Sequence, residues 1–305
     1  MQLSSAHFEK AVDFIRTKAR PLDQALFAFH FESGSVDAVL QKLIHFQNED
    51  GGFGQGMEPD AEYQGSSPLA TTVGLQIMQS FSLPTTHPII QQAMAYLCQS
   101  FNAQKGYWQP MPVTVNDVPH APWWTYDLDT DKTAPESPAN PTAEIMGYLH
   151  AYPDQVSDQL RDQVTSSTID FLVTHQADIE MHETYCYQRS LPHLPSHLQD
   201  QVLPILNAII NRCVETDPSA WSGYVAQPLD FVSSPDSPWY HDLADAVEAN
   251  LDHVIQAQAD DGSWPPTWSW GDQYPDAWTV AKQAWAGHRT VNILKTLQRF
   301  GRLPE

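Results

Sequence analysis

The chain of 305 residues carries 15 Lys and Arg side chains against 37 Asp and Glu side chains, which gives a formal net charge of −22. Proteins that bind nucleic-acid phosphates or anionic bilayers need clustered positive charge, so this composition excludes both from the expected partners. It also argues against a diphosphate-bearing substrate, because Lys and Arg side chains would have to hold it.

The N-terminal residues and the cysteines indicate the cellular compartment of the protein. Residues 1–10 contain no basic stretch followed by an apolar run, and no apolar stretch reaches the ~18 residues of a membrane span. Cys98, Cys186 and Cys213 are an odd number at no metal-ligand spacing, and we interpret them as buried thiols. We therefore expect a cytoplasmic protein that does not span a membrane.

The first part of the chain predicts helices on either side of a glycine-rich loop. Apolar residues recur at helical spacing over 4–31 on both sides of Pro21, which predicts two helices or one helix broken at the proline. Ser67 followed by Pro68 is typical of a helix start. The loop over 48–64 contains four glycines, which permit left-handed backbone conformations.

The rest of the chain predicts further helices and two long loops. Helical patterns cover 87–101, 140–212, 243–255 and 276–300, and Pro204 predicts a kink or a boundary. The stretches 109–139 and 215–240 are rich in proline and aromatic residues, and long loops of this kind tend to be functional. No stretch alternates with period two and none predicts a β-hairpin, so the predicted class is all-α.

A short pattern occurs twice in the chain. Gln, three residues, Gly, one residue and an aromatic residue appear from Gln47 to Phe53 and again from Gln258 to Trp264, at a constant offset of 211 (258 − 47 and 264 − 53). Each copy follows one amphipathic helix and precedes another, so the repeated unit is helix, loop, helix. Residues 104–108 and 221–224 are candidate further copies. Because a closed ring would bring the two clear copies together, we predict a single domain over 1–305.

The Gln-x-x-x-Gly-x-Trp pattern resembles the QW motif of squalene cyclases and other terpenoid cyclases. Asp-Gly-Gly-Phe-Gly-Gln-Gly at 50–56 and Leu-Ala-Thr-Thr-Val-Gly-Leu at 69–75 also resemble the internal repeats of protein prenyltransferase β-subunits. This resemblance implies an α/α toroid, in which concentric rings of helices surround an apolar funnel and the Gly/aromatic loops collect at the ring ends.

The functional residues of those families do not carry over. Protein prenyltransferases hold zinc with an Asp-x-Cys pair and a distant His, but Tyr96, Thr184 and Asn211 stand two positions before the cysteines and Val280 stands about where the His is expected. We therefore predict no metal site and no cofactor. The Asp-x-Asp-Asp acid of class II cyclases has its nearest match at 127–131, where the fourth position is Thr, and we interpret that string as a solvated acidic loop.

Carboxylates follow the glycines of the first copy. Glu58, Asp60 and Glu62 are close in sequence, and carboxylates held close together raise at least one pKa, which suits a general acid near neutral pH. Asp272 follows the second copy and would face the first group if the ring closes. The predicted catalytic residues are Glu58, Asp60 and Asp272, and a helix-capping or solvated turn is the alternative interpretation.

Aromatic side chains in loops are candidates for ligand binding. Tryptophan can stabilise a cation through cation–π attraction or stack on a sugar ring, although it can also do no more than pack against the next helix. His120 precedes a Pro-Trp-Trp run, and the adjacent His182 and Glu183 are a further candidate pair. The predicted ligand-binding residues are His120, Trp123, Trp124, Tyr224, Trp264, Trp268 and Trp270.

These patterns lead to three functional hypotheses. The first is a terpenoid cyclase-like or prenyltransferase-like toroid enzyme that acts on a largely apolar, non-phosphorylated ligand in a central acidic, Trp-lined funnel, with Glu58 or Asp60 as the acid. The second is a carbohydrate-active enzyme on an α/α toroid, with two carboxylates flanking a glycosidic bond and tryptophans as sugar platforms. The third is a non-catalytic module that binds a peptide or a partner protein.

Overall fold

A computed structural model describes residues 1–81, 83–133 and 137–304. The chain is about 60% helical, which confirms the all-α class. The α-helices in chain order are α1 (Ser5–Lys18), α2 (Pro21–Phe31), α3 (Val36–Leu43), α4 (Pro68–Gln79), α5 (Pro88–Ser100), α6 (Thr142–Ala151), α7 (Asp158–His175), α8 (Met181–Ser190), α9 (Ser196–Cys213), α10 (Pro228–Phe231), α11 (Tyr240–Gln256) and α12 (Pro275–Arg299). Within the described ranges, no helix is long and apolar enough to cross a membrane.

Contacts divide the chain into two compact units. Unit 1 joins both chain ends, residues 1–43 and 214–305, and contains α1 to α3 and α10 to α12. Unit 2 is the continuous segment 44–213 and contains α4 to α9. Each unit has its own buried apolar residues, for example Ile15 and Leu294 in unit 1 and Leu97 and Leu149 in unit 2.

Local sequence signals set the helix starts. The hydroxyl oxygens of Ser4, Ser67 and Ser157 each accept a hydrogen bond from the backbone N–H three residues later, which satisfies a donor that has no partner within the helix. Proline occupies the first position of α2, α4 and α5, where its missing N–H carries no cost. The predicted break at Pro21 is confirmed, since α1 ends at Lys18 and α2 begins at Pro21.

Helix α9 contains a proline within its length. Pro204 was a predicted kink or boundary, yet α9 continues through it from Ser196 to Cys213. The boundary part of that prediction is wrong. One face of α9 is apolar, with Val202, Leu206 and Ile209 buried, and this packing holds the helix together across the lost backbone bond.

A short hairpin interrupts the helical pattern. Strands β1 (Tyr126–Asp127) and β2 (Lys132–Thr133) pair antiparallel, with Tyr126 opposite Thr133. The sequence predicted no hairpin, because two residues per strand are too few to show alternation. In the turn, the Asp127 carboxylate accepts the backbone N–H of Asp129 at 2.9 Å, and Leu128 is 73% exposed. The string that resembles a cyclase acid motif is therefore a solvated turn.

The two clear copies of the Gly/aromatic loop have the same hydrogen bonds. Each Gln side chain donates to the carbonyl oxygen of its own loop glycine at 2.9 Å. Each also donates to a carbonyl oxygen early in a helix of the same unit, from Gln47 to Ile89 at 3.0 Å and from Gln258 to His7 at 2.9 Å. The repeated sequence thus encodes a repeated local structure.

The aromatic residue of each loop is tied to the helix that follows it. Its backbone N–H donates to a threonine hydroxyl at 3.0 to 3.1 Å, in the pairs Phe53 with Thr71, Trp108 with Thr142 and Trp264 with Thr290. The stretch 104–108 shares this bond, as a third copy should. The stretch 221–224 does not, because the backbone N–H of Trp221 donates to the Pro218 carbonyl oxygen at 3.3 Å. Its nearest Gln, Gln227, follows the aromatic residue and donates to the Trp221 carbonyl oxygen.

The cysteines are free thiols, and only one of them is fully buried. Cys186 is 3% exposed, whereas Cys98 and Cys213 are half-buried. The prediction of three buried thiols is therefore correct for Cys186 alone. Burial raises the pKa of both the Cys98 and Cys186 thiols, so neither is an activated nucleophile at neutral pH.

Candidate functional site

The loop between the first glycine copy and α4 holds Glu58 and Asp60. The chain turns back on itself here, because the backbone N–H groups of residues 55 and 56 donate to the carbonyl oxygens of residues 64 and 63 at 3.2 and 3.1 Å. The side chain of Asn48 closes the base of this loop with a 3.1 Å bond to the Gln64 carbonyl oxygen. The loop is thus held at both of its ends.

Glu58 and Asp60 are both removed from water. Glu58 is 7% exposed and Asp60 is 4% exposed, whereas Glu62 in the same loop is exposed. A buried carboxylate loses its hydration, so it persists only where the surroundings compensate. The alternative of a solvated turn applies to Glu62 and not to the other two. The N-cap of the following helix, α4, is Ser67.

A second segment lies directly against this loop. His120 pairs with Ala61 across an antiparallel bridge, and the backbone N–H of Ala121 donates to the Asp60 carbonyl oxygen at 2.8 Å. The backbone N–H of Glu62 donates to Pro119 at 2.9 Å. The structure therefore brings together three of the predicted site residues, Glu58, Asp60 and His120, although about 60 positions separate them in sequence.

His120 is 4% exposed and both of its ring nitrogens have partners. Nδ1 lies 2.7 Å from the Val118 carbonyl oxygen, which can only accept, so Nδ1 carries the proton. In the neutral ring, Nε2 then accepts from the Thr125 hydroxyl at 3.1 Å. This arrangement fixes the orientation of the imidazole beside the carboxylate loop.

Apolar and aromatic side chains pack beside the same two segments. Ala61, Met111, Val115 and Tyr126 form a buried cluster, and Tyr63 and Trp124 pack against it. Trp123 and Trp124 lie in a single 3-10 turn, Pro122–Trp124, and both are half-buried. The Trp124 indole nitrogen is buried and has no hydrogen-bond partner among the described residues. An apolar, aromatic cluster thus adjoins the loop that holds the two carboxylates.

Of the predicted site residues in unit 1, Trp264 and Trp270 are buried in the protein, and others are accessible to solvent. Trp264 is 3% exposed, and its indole N–H donates to the Val254 carbonyl oxygen at 2.7 Å, so its role is to fasten the loop. Trp270 is 1% exposed and packs 5.7 Å from Trp278. Asp272 is exposed at the surface of unit 1.

Trp268 is at the centre of an aromatic group in unit 1. Its ring lies 5.6 Å from Tyr224 and 5.2 Å from Trp285, both in edge-to-face geometry. The Arg289 guanidinium lies 5.6 Å from the centre of the Trp268 ring. Tyr224 is 53% exposed, so solvent reaches this group. Trp285 and Arg289 were not among the predicted site residues.

The candidate pair His182 and Glu183 has a local structural role. Glu180 and Glu183 form a capping box at the start of α8. The Glu180 carboxylate accepts the backbone N–H of Glu183, and the Glu183 carboxylate accepts the backbone N–H of Glu180. His182 Nδ1 lies 2.7 Å from the Glu180 carboxylate. These contacts account for both residues without a ligand.

The sequence analysis did not predict an ion pair in unit 2 that joins a buried carboxylate to a partly exposed guanidinium. Glu144 is 2% exposed, and its carboxylate accepts from Tyr148 at 2.6 Å, from Gln76 at 2.8 Å and from Arg189 at 3.0 Å. The bonds connect α4, α6 and α8. Nothing in the sequence pairs Arg189 with a carboxylate 45 positions away.

The Arg189 guanidinium has an unusual environment. Its side chain is 45% exposed, and yet burial acts to lower its pKa, while the nearby charge of Glu144 outweighs burial and raises the pKa above its usual value. The Glu144 carboxylate therefore determines the direction of this pKa shift.

The described residues contain no group of three His, Cys, Asp or Glu side chains that could hold a metal ion. Comparison with known proteins gave no match to a family model, to a curated protein or to a solved structure.

Proposed function

We propose that this protein is an enzyme that applies carboxylate acid–base chemistry at Glu58 and Asp60 to a neutral, largely apolar small molecule. The observation that carries this proposal is the burial of two carboxylates, two positions apart, in a loop fastened at both ends. Carboxylic acids removed from water hold their protons more strongly, which is the property that a general acid needs near neutral pH. Burying two such groups costs stability, and natural proteins accept that cost most often at functional sites.

The neighbourhood of the carboxylates supports the substrate class. Tyr63, Trp124 and the buried cluster around Met111 and Val115 supply apolar and aromatic surface close to the loop. Aromatic faces also attract the positive charge that develops when an acid protonates an alkene or an ether oxygen. In this proposal, His120 positions the loop through its fixed ring and the backbone bonds beside Asp60.

The same proposal includes the arrangement of the helices as an α/α toroid. Three loops share the bond from an aromatic N–H to a threonine hydroxyl, and two share the full set of glutamine bonds. A chain built from equivalent helix–loop–helix units is the basis of an α/α toroid, which offers a cavity for a neutral isoprenoid. This supports a terpenoid cyclase-like or prenyltransferase-like arrangement.

A carbohydrate-active enzyme is the second candidate, and the Trp268 group favours it. Tyr224, Trp268 and Trp285 present partly exposed rings of the kind on which sugar rings stack. In that case a sugar would contact unit 1 through these aromatic faces.

Thermal-shift measurements against two ligand panels test the proposal. Farnesol and geranylgeraniol represent neutral isoprenoids, and xylo- and malto-oligosaccharides represent sugars. A ligand at about a hundred times its dissociation constant adds about 2.7 kcal/mol to the free energy of unfolding, so binding raises the melting temperature. A shift with isoprenoids alone supports the first function, and a shift with sugars alone supports the second. No shift with either panel would favour a module that binds a partner protein.

Substitutions in the loop then separate catalysis from binding. We expect Asp60→Asn and Glu58→Gln to remove product formation, followed by mass spectrometry with the ligand that gave the shift, while the folded state is retained. Glu62→Gln is the matched control, because Glu62 lies in the same loop and is exposed. Full turnover by a folded Asp60→Asn protein would contradict the assignment.

A further inference from the structure

Four of the 15 Lys and Arg side chains of this acidic chain come together in unit 1. Arg20 precedes α2, and Arg289, Lys295 and Arg299 lie on α12. Together with His30 on α2 and His288 on α12 they form what we call the basic cluster. Asp23 is the carboxylate within it, and it is 1% exposed.

Helix geometry explains how the cluster assembles. Positions 288, 292, 295 and 299 follow one another at spacings of four, three and four, so they line one face of α12. Asp23 and His30 are two turns apart on one face of α2. The two faces meet, because the His288 Nδ1 lies 3.9 Å from the Asp23 carboxylate.

Most of the local negative charge is already engaged. Arg20 Nε donates to the Asp23 carboxylate at 2.9 Å, and a second contact of the same pair measures 3.4 Å. The His288 ring is held by Asn292, at 2.9 Å between Nε2 and Nδ2. Asp23 therefore neutralises Arg20. In the described part of the chain, neither Lys295 nor Arg299 forms an ion pair with a carboxylate, and Arg299 donates to the Ser233 hydroxyl at 3.4 Å.

Lys295 and the Nε2 atom of His30 have no hydrogen-bond partner among the described residues. Lys295 is only partly exposed, and it forms no hydrogen bond or ion pair with any of the residues that the structure describes. His30 Nε2 is buried and likewise has no partner in the described part of the chain. Burial, with Arg299, lowers the pKa of Lys295 to about 8, and burial, with Lys295 and Arg299, lowers the pKa of His30 to about 4. The charges acting on both groups are positive.

This arrangement is unfavourable unless something offsets it. A partly buried ammonium next to a guanidinium loses hydration and is repelled by its neighbour. The chain has 37 Asp and Glu side chains, yet none of those within residues 1–81, 83–133 and 137–304 forms an ion pair with Lys295. An exogenous anion would supply it, with Lys as a point charge, Arg as a fork and the neutral His30 ring as a further donor.

We infer that the basic cluster around Lys295, Arg299 and His30 is a binding site for an anionic small molecule, held through a carboxylate or a phosphate group. The site lies within unit 1 and does not depend on the function proposed for Glu58 and Asp60. The composition of the chain argued against a diphosphate-bearing ligand, because Lys and Arg side chains are few. The basic cluster is a local exception, since it brings several of them together.

Titration with two simple anions tests the inference. Sodium phosphate and sodium malonate are added to the full-length protein at constant ionic strength, with chloride as the balancing salt, and binding is followed by calorimetry and by the melting temperature. We expect saturable binding of at least one of them to the wild-type protein. Binding of phosphate alone identifies a phosphate group as the ligand chemistry, and binding of malonate identifies a carboxylate.

Variants assign the effect to the cluster. We expect Lys295→Met to weaken binding about tenfold or more, because a charge-assisted hydrogen bond is lost, and to melt in chloride at the wild-type temperature or above, because a repulsion is removed. Lys282→Met, at an exposed position of the same helix, should bind as the wild type does and so corrects for the general stabilising effect of phosphate.

Two results would overturn the inference: no saturable binding to the wild-type protein, or equal binding to a folded Lys295→Met protein. If Lys295→Met does not fold, the exposed Arg299→Gln takes its place in the same titration. Equal binding to a folded Arg299→Gln protein would then reject the site.

Discussion

At the scale of single residues, glycine conformation is the clearest link from sequence to structure. Gly51 and Gly262 occupy equivalent positions of the two loops and have φ of 88° and 90°. Both also lie against a neighbouring backbone, since a Cβ on Gly51 would stand 2.4 Å from the Gln92 carbonyl oxygen. The repeated glycine is thus required for two reasons, a left-handed conformation and a close approach.

Gly51→Ala should therefore destabilise the folded state more than an alanine substitution at a glycine that has a left-handed conformation but no close backbone neighbour. We expect Gly51→Ala to lower the free energy of unfolding by about 3 kcal/mol or more, because strain and a backbone clash add. Gly56 has φ of 70° and nothing within 4 Å of its Cβ position, so Gly56→Ala should cost only about 1 kcal/mol. Urea unfolding measures both, and equal costs would show that the close approach is relieved by movement of α5.

Burial of particular carboxylates is a residue-scale feature that the sequence did not distinguish. Glu58, Glu62 and Asp272 are acidic loop residues of the same kind, yet only Glu58 is buried. Burial of a loop side chain depends on segments from elsewhere in the chain, and the segment around His120 is one that lies against this loop. Chain positions so far apart carry no local signal of their contact.

At the scale of elements, hydrogen bonds at helix starts decide where the helices begin. Ser67 is fully buried, and its hydroxyl accepts the Ala70 N–H at 3.0 Å. Ser35 makes the same kind of bond to Ala38 at 3.2 Å, but it is exposed. Water can replace the hydroxyl at Ser35 and cannot reach the N–H at Ser67.

The two serines provide a matched pair for measurement. We expect Ser67→Ala to lower the free energy of unfolding by about 2 kcal/mol and Ser35→Ala by about 0.5 kcal/mol. The same urea titrations give both values. If the two variants lose equal stability, burial does not control the strength of this cap.

At the scale of the whole molecule, the excess of acidic side chains coexists with a local excess of positive charge in unit 1. Burial lowers the pKa of both His30 and His288 to about 4, helped by the charges of Lys295 and nearby arginines, although Asp23 opposes this shift for His288. The unfolded chain therefore binds protons at these rings from pH 6.5 downwards, and the folded protein does so only near pH 4. Acid thus favours unfolding over this interval.

We expect the melting temperature to fall between pH 6.5 and about 4 because of this linkage. Each histidine contributes at most about 1.4 kcal/mol per pH unit, an upper limit because water partly reaches both rings. His30→Gln should give a shallower decline between pH 6.5 and 5, where ordinary carboxylates remain ionised. His241→Gln, at a fully exposed side chain, should leave the slope unchanged. Parallel curves for the wild type and His30→Gln would show that His30 is not held neutral.

Helix positions, the break at Pro21, the serine caps and the repeated loop were all determined by the sequence itself. Each of these depends on side chains within a few positions of one another, so composition and spacing are sufficient to reveal them. The same locality explains the two failures at this level, since a two-residue strand is too short to show a period and the helix through Pro204 is held by packing from outside its own sequence.

Only the tertiary structure decided which charged groups are buried, paired or isolated. The loop of Glu58 and Asp60 lies against the segment of His120, and Glu144 pairs with Arg189. Lys295 lies near Arg299 and His30, and no carboxylate among the described residues pairs with it. Most of these partners are tens to hundreds of positions apart. Electrostatic and desolvation energies depend on distance in space and on access of water, and neither quantity is written in the order of the residues.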